Sequence, residues 1–175
     1  MDLEKLKYPI GQFVMPEIFD EEQAAIWISE IEALPNQIKK ATENLSDEEL
    51  SQVYRPGGWT LRQIVHHLPD SHTNAYIRFK QAITEELPII RPYYEDRWAE
   101  TEEAKNGDIE LSVALLIALH KRLVAFLKTL NIEDFQRQYI HPEHGKQFTL
   151  ANMLGTYAWH GKHHLAHITN ATSKN

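Results

Sequence analysis

Cysteine is absent from this sequence of 175 residues, and the absence excludes two things at once. No disulfide can brace the fold. No thiolate can hold a metal, so any metal site must draw on His, Asp, Glu or backbone oxygen. Long apolar stretches are also missing. The longest uninterrupted one runs from Val113 to Leu119, far short of the roughly 20 residues a membrane-spanning helix needs. The opening Met1-Asp2-Leu3-Glu4-Lys5-Leu6-Lys7 is charged and lacks the apolar centre of a secretion signal. A soluble, cytoplasmic protein without a membrane partner is the expectation. Basic clusters are scarce: 18 Lys and Arg stand against 25 Asp and Glu, a net charge of −7. Phosphate binding needs clustered cations, so nucleic acid is not an expected partner.

Histidine, by contrast, is plentiful. Ten occur in the chain, and His160, His163, His164 and His167 crowd into one short stretch. The length and the 42% hydrophobic content suit a single domain, residues 1–175, around one core.

Helical spacing dominates the rest. Residues 1–19 read as an extended lead-in, punctuated by Pro9 and Pro16. Asp20 can cap a helix whose Ile28, Ile31, Leu34 and Ile38 share a face, with Pro35 expected to kink or split it. Ser46 to Glu49 and Thr60 to Gln63 both read as capping boxes. The second opens a helix that extends to about Leu87, before Pro88. Residues 88–108 are less regular, with room for a short helix near 96–105; so long a connection suggests a functional segment. A third long helix spans about 109–130, its stripe formed by Leu115, Leu116, Leu119, Leu123 and Phe126. Residues 131–148 read as another connection. Thr149 can cap a last helix to about Thr169. Four principal helices without a strand signal predict an all-α four-helix bundle.

Turning about 100° per residue from His160 places His164 near +40°, His167 near −20° and His163 near −60°. All four histidines thus lie on one stripe, bordering the apolar face that carries Leu154, Tyr157, Leu165 and Ile168. Both His160/His164 and His163/His167 have the i, i+4 spacing that lets two imidazoles share one ion. Spacing alone does not choose between them. The helix after Thr60 has a matching stripe: His67, Asp70, Ser71, Asn74 and Arg78 run beside Leu61, Ile64, Leu68 and Phe79. Two such stripes imply a polar pocket between two helices. His72 falls within the apolar arc, as a hydrogen-bonded core imidazole would. His120, His141 and His144 have no partner at suitable spacing and read as surface residues.

The segment Gly58-Trp59-Thr60-Leu61-Arg62-Gln63-Ile64-Val65-His66-His67-Leu68 resembles the DinB superfamily, in which a Trp stands before a metal-binding His. Trp159-His160-Gly161-Lys162-His163-His164-Leu165 resembles that superfamily's second metal motif. Tyr8-Pro9-Ile10-Gly11, Asp70-Ser71-His72, Tyr76-Ile77-Arg78-Phe79-Lys80 and Arg91-Pro92-Tyr93 are similar to its YfiT-like branch. The resemblance implies an up-and-down four-helix bundle, a homodimer, and one divalent metal held by His67, His160 and His164. It selects that pair over His163 and His167. Pro69 departs from the pattern, since relatives favour a small residue there, and this puts the placement of Asp70 and Asn74 in question.

Three neutral ligands and an open position fit catalytic zinc, while Ni2+, Mn2+ or Fe2+ also suit an all-nitrogen site. The resemblance implies two chemistries: activation of a low-molecular-weight thiol such as bacillithiol for S-transfer, or activation of water for hydrolysis. Asp70 is the candidate base or supporting carboxylate. Arg78 is the candidate partner for a substrate carboxylate or phosphate, or for Asp70 itself. A non-catalytic bundle braced by its metal is the third possibility, and a fourth protein ligand would mark it.

Overall fold

The computed structural model describes residues 3–143 and 145–173. His144 lies outside them. Side-chain caps fix where most of the helices begin. A short helix α1 (Leu3–Lys7) occupies part of the segment expected to be extended. Asp20 accepts from the Gln23 amide and opens α2 (Glu21–Thr42), which runs through Pro35 without a break. The Ser46/Glu49 capping box opens α3 (Asp47–Leu50), and the Thr60/Gln63 box opens α4 (Leu61–Thr84). The 88–108 connection folds into two short helices, α5 (Glu95–Ala99) and α6 (Glu102–Asn106). Asp108 caps α7 (Ile109–Leu127), and Thr149 caps α8 (Leu150–Thr172).

Between α7 and α8 the chain forms an antiparallel hairpin, β1 (Gln138–His141) with β2 (Lys146–Thr149), where a plain connection was expected. Four-residue strands are too short to show alternation in a sequence. Tyr139 pairs with Phe148 across the ladder, the rings 6.0 Å apart. Ile90 and Ile140 extend the pairing to the segment after α4 through Ile90 N–H to Ile140 O and Ile140 N–H to Pro88 O.

The four long helices form the bundle. α2 and α4 each pack against both α7 and α8, so α2 and α4 sit across the diagonal from each other. Helices α5 and α6 pack on the outer side of α4. This cover explains why every residue from Leu61 to Pro69 is buried, although a bundle helix normally hides only one stripe.

The apolar interior falls into two clusters. One contains Trp27, Ile31, Phe79, Leu123, Leu127 and Leu154; the other contains Leu34, Ile38, Leu61, Leu68, Leu116 and Ile168. Along each helix the boundary between clusters is polar or broken. It falls between Ile31 and Leu34, at Glu32, on α2, at His72 on α4, at His120 on α7, and at His160 to His167 on α8. A layer of buried imidazoles therefore crosses the bundle.

The buried face of α7 differs from the expected stripe. It consists of Ile109, Ser112, Val113, Leu116, His120, Leu123, Val124 and Leu127, while Leu115 is exposed. Ser112 and His120 are polar residues on the core face, so hydrophobicity alone rotates the apparent stripe away from them.

Candidate metal centre

Two neighbouring histidines on α4 have different roles because their side chains diverge by about 100°. His66 faces α7, with Nδ1 2.7 Å from Ser112 Oγ and Nε2 3.3 Å from the Gly107 carbonyl. It ties two helices together. His67 faces α8. The start of α4 is held firmly around it: Arg62 pairs with Asp47 at 2.6 Å and donates to Gly107 O at 2.9 Å, and Gln63 Nε2 donates to Ala99 O at 2.7 Å.

The structure brings His67, His160 and His164 into one group, each offering a ring nitrogen, all within 4.8 Å of one another. His67 Nε2 lies 3.2 Å from His160 Nε2. Tetrahedral zinc with Zn–N bonds of about 2.0–2.1 Å sets its nitrogen ligands roughly 3.3 Å apart, so the spacing fits. Burial keeps these rings neutral. It pushes His67 down to about 4, and holds His160 and His164 well below the ordinary imidazole value. Neutral imidazoles are the form that ligates. Trp59 packs against two of them, its ring 4.7 Å from His67 and 6.3 Å from His164. No carboxylate joins the group among the described residues.

The remaining nitrogens of the cluster touch further histidines. His160 Nδ1 is 3.2 Å from His72 Nε2, and His72 Nδ1 is 2.9 Å from His120 Nε2. His120 Nδ1 is 2.6 Å from the Ile31 carbonyl oxygen. His72 thus occupies the core, as its phase suggested. His120 is buried and bonded on both sides, where a surface residue was expected; the signal that reveals it is its position three and four residues from Leu123 and Leu116. On the other flank, His164 Nδ1 is 3.4 Å from His167 Nδ1, and His167 Nε2 is 3.2 Å from the Lys7 carbonyl. His163 stays outside the three-histidine group and stacks on Trp159 at 4.5 Å.

The cluster opens into a cavity of about 520 Å³. Lys7, Arg55 and Arg78 line it, as do Glu95, Asp96 and Glu143. Arg78 donates to Tyr157 Oη at 3.4 Å and to the Arg91 carbonyl at 3.1 Å, while its Nε is buried with no partner. It forms no ion pair with Asp70. Ser71 lies beside the hydroxyls of Tyr157 and Tyr93, two tyrosines that sequence spacing did not bring to this wall.

Asp70 does not line this cavity. It faces the α5–α6 side, where burial first and the Glu103 charge second raise it to about 6. Helix α4 passes through Pro69 unbroken, and Asn74 Nδ2 donates to the Asp70 carbonyl at 2.9 Å.

The sequence and the fold have close counterparts. Residues 30–168 match the family model of the DinB superfamily. A Bacillus cereus (strain B4264) protein named "Putative metal-dependent hydrolase" is 50% identical over 165 residues, covering 94% of each chain. A Bacillus anthracis (strain A0248) protein of the same name is 49% identical over 165 residues, with the same coverage. The solved structure of YfiT from Bacillus subtilis superposes with a TM-score of 0.95 at 47% identity, covering 97% of each chain. It is described as "a probable metal-dependent hydrolase with an unusual four-helix bundle topology". With this match spanning the bundle and its three-histidine cluster, the chain belongs to the DinB superfamily, alongside YfiT.

Proposed function

We propose that the protein is a metal-dependent enzyme that activates a low-molecular-weight thiol, such as bacillithiol, for transfer to an electrophile. One observation carries this reading. The cavity sets an all-imidazole cluster without a carboxylate beside Arg78, a guanidinium with no carboxylate partner among the described residues. A divalent metal there, Zn2+ first with Ni2+, Mn2+ and Fe2+ as alternatives, would lower the pKa of a thiol or water in its open position.

His67, His160 and His164 would hold the ion as neutral donors. Their lack of charge leaves the full +2 available to a thiolate. Arg78, held by Tyr157 and the Arg91 carbonyl on the cavity wall, would offer its guanidinium charge to an anionic group of the cosubstrate. Trp59 covers the ligands and limits access of bulk water. The substrate is a small molecule, and the working unit is a cytoplasmic homodimer.

Hydrolysis is the second reading. The names of the relatives favour it, and Glu95, Asp96 and Glu143 on the cavity wall offer general bases. One screen separates the two. The protein is loaded with each metal and given thiols with monochlorobimane, or ester and amide substrates without thiol. Metal-dependent conjugation that disappears in His160→Ala supports S-transfer. Metal-dependent hydrolysis with no conjugation by any thiol overturns it in favour of activated water.

A further inference from the structure

A chain of imidazoles ends on a backbone carbonyl, and that carbonyl has a definite reason to be free. In an α-helix the Ile31 carbonyl accepts from the amide of residue 35. Residue 35 is proline and has no N–H. The Ile31 oxygen is therefore left without its helical donor, inside the bundle, where an unsatisfied carbonyl is costly. His120 Nδ1 approaches it to 2.6 Å.

A carbonyl oxygen can only accept, so His120 carries its proton on Nδ1. A neutral imidazole has one donor and one acceptor, which leaves His120 Nε2 bare. His72 must then donate to it from Nδ1, across 2.9 Å. By the same rule His72 Nε2 is bare and accepts from His160 Nδ1–H, across 3.2 Å. His160 is left with a bare Nε2, the atom that faces His67 Nε2 at 3.2 Å. Each step has one solution once the first acceptor is fixed. The second flank obeys the same logic: the Lys7 carbonyl takes the His167 Nε2 proton, His167 Nδ1 accepts from His164 Nδ1, and His164 Nε2 is bare.

We infer that His72 and His120 are positioning residues which, anchored on the carbonyl freed by Pro35, hold the proton of His160 on Nδ1 and so keep Nε2 ready for a metal. The inference rests on the metal reading of the cluster. It adds that affinity depends on His120, a residue on a different helix that touches neither ion nor substrate. The four bundle helices each supply one part: the carbonyl from α2, His120 from α7, His72 from α4 and His160 from α8. Partners of this kind commonly contribute ten- to hundredfold in metal affinity.

The test uses the full chain and Zn2+ alone, with affinity read by competition against a chromogenic chelator. His120→Leu removes the acceptor for His72 and releases both tautomers; binding should weaken about ten- to hundredfold. His120→Gln keeps an amide N–H for Ile31 and an oxygen for His72; it should bind within about threefold of the unmodified chain, by the same relation. Long-range 1H–15N correlation spectra of the metal-free protein should show protonated Nδ1 and bare Nε2 on His72, His120 and His160. A His160 proton on Nε2 overturns the relay, and so does a folded His120→Leu variant that binds Zn2+ like the unmodified chain. Failure of the unmodified chain to bind Zn2+ overturns the metal reading instead, and the relay's role falls with it. Should His120→Leu not fold, the spectra of the unmodified protein decide.

Discussion

Acid should unfold the metal-free protein early, and the histidine layer sets the magnitude. An unfolded chain protonates its imidazoles near pH 6.5. In the fold, burial holds His67 and His120 down to about 4. Between these values the unfolded state binds more protons than the native state, so stability rises with pH and is lost as pH falls from about 6.5 toward 4. At pH 5 each of the two groups costs about 2 kcal/mol relative to neutral pH. His72, His160 and His164 are also held well below the ordinary imidazole value by burial and act in the same direction. Asp70 works against them: its raised carboxyl takes up a proton in the fold first and offsets part of the loss. The sum of the histidine contributions exceeds about 4 kcal/mol, a large part of a typical stability of about 5–15 kcal/mol. Urea unfolding followed by circular dichroism from pH 7.5 to 4.5 measures it. The midpoint should drop steeply below pH 6.5, and Zn2+ should raise it most near neutrality, where ligands need not be deprotonated first. A metal-free midpoint that stays flat from pH 7 to 5 would refute the picture of a buried neutral layer.

Two further substitutions probe the site and its scaffold. Arg78→Ala should raise KM for an anionic thiol about 10- to 100-fold with a smaller effect on kcat, the loss expected for a hydrogen bond to a charged group; steady-state conjugation assays with charged and neutral thiols check it. Gly161 sits between the ligand residues of α8, and an added Cβ would overlap the Leu34 side chain on α2. Gly161→Val should therefore cost about 1–3 kcal/mol, a fall of roughly 2–12 °C in thermal midpoint, measurable by calorimetry.

The long helices were legible in the sequence because their caps and apolar spacing agree, and Thr60, Asp20 and Thr149 mark their starts as expected. The short elements were not. Helix α1 and the hairpin have too few residues for a periodic pattern, and the hairpin is held by Ile90 and Ile140 across some fifty residues. Helix α7 was misphased because two of its core residues are polar, and the same two, Ser112 and His120, complete hydrogen bonds from α4. The grouping of His67 with His160 and His164 needed family resemblance, since spacing allowed two pairs. The structure assembles that group. It places Arg78 on the cavity wall and Asp70 away from it, because α5 and α6 cover the outer side of α4.

The diagonal placement of α2 and α4 bears on how the chain finds its fold. In a bundle of sequential neighbours each new helix docks on the one just made. Here α2 makes its extensive contacts with α7 and α8 and not with α4, so it docks once one of those is present. Of the consecutive long helices, α4 and α7 share the extensive interface, so that pair is the natural nucleus. The ring nitrogens of His67 and His160 meet across 93 residues of chain. Closing such a loop costs entropy before any contact compensates it, which slows folding relative to bundles with local topology. The histidine cluster thus assembles late, once α8 as well as α4 has been made.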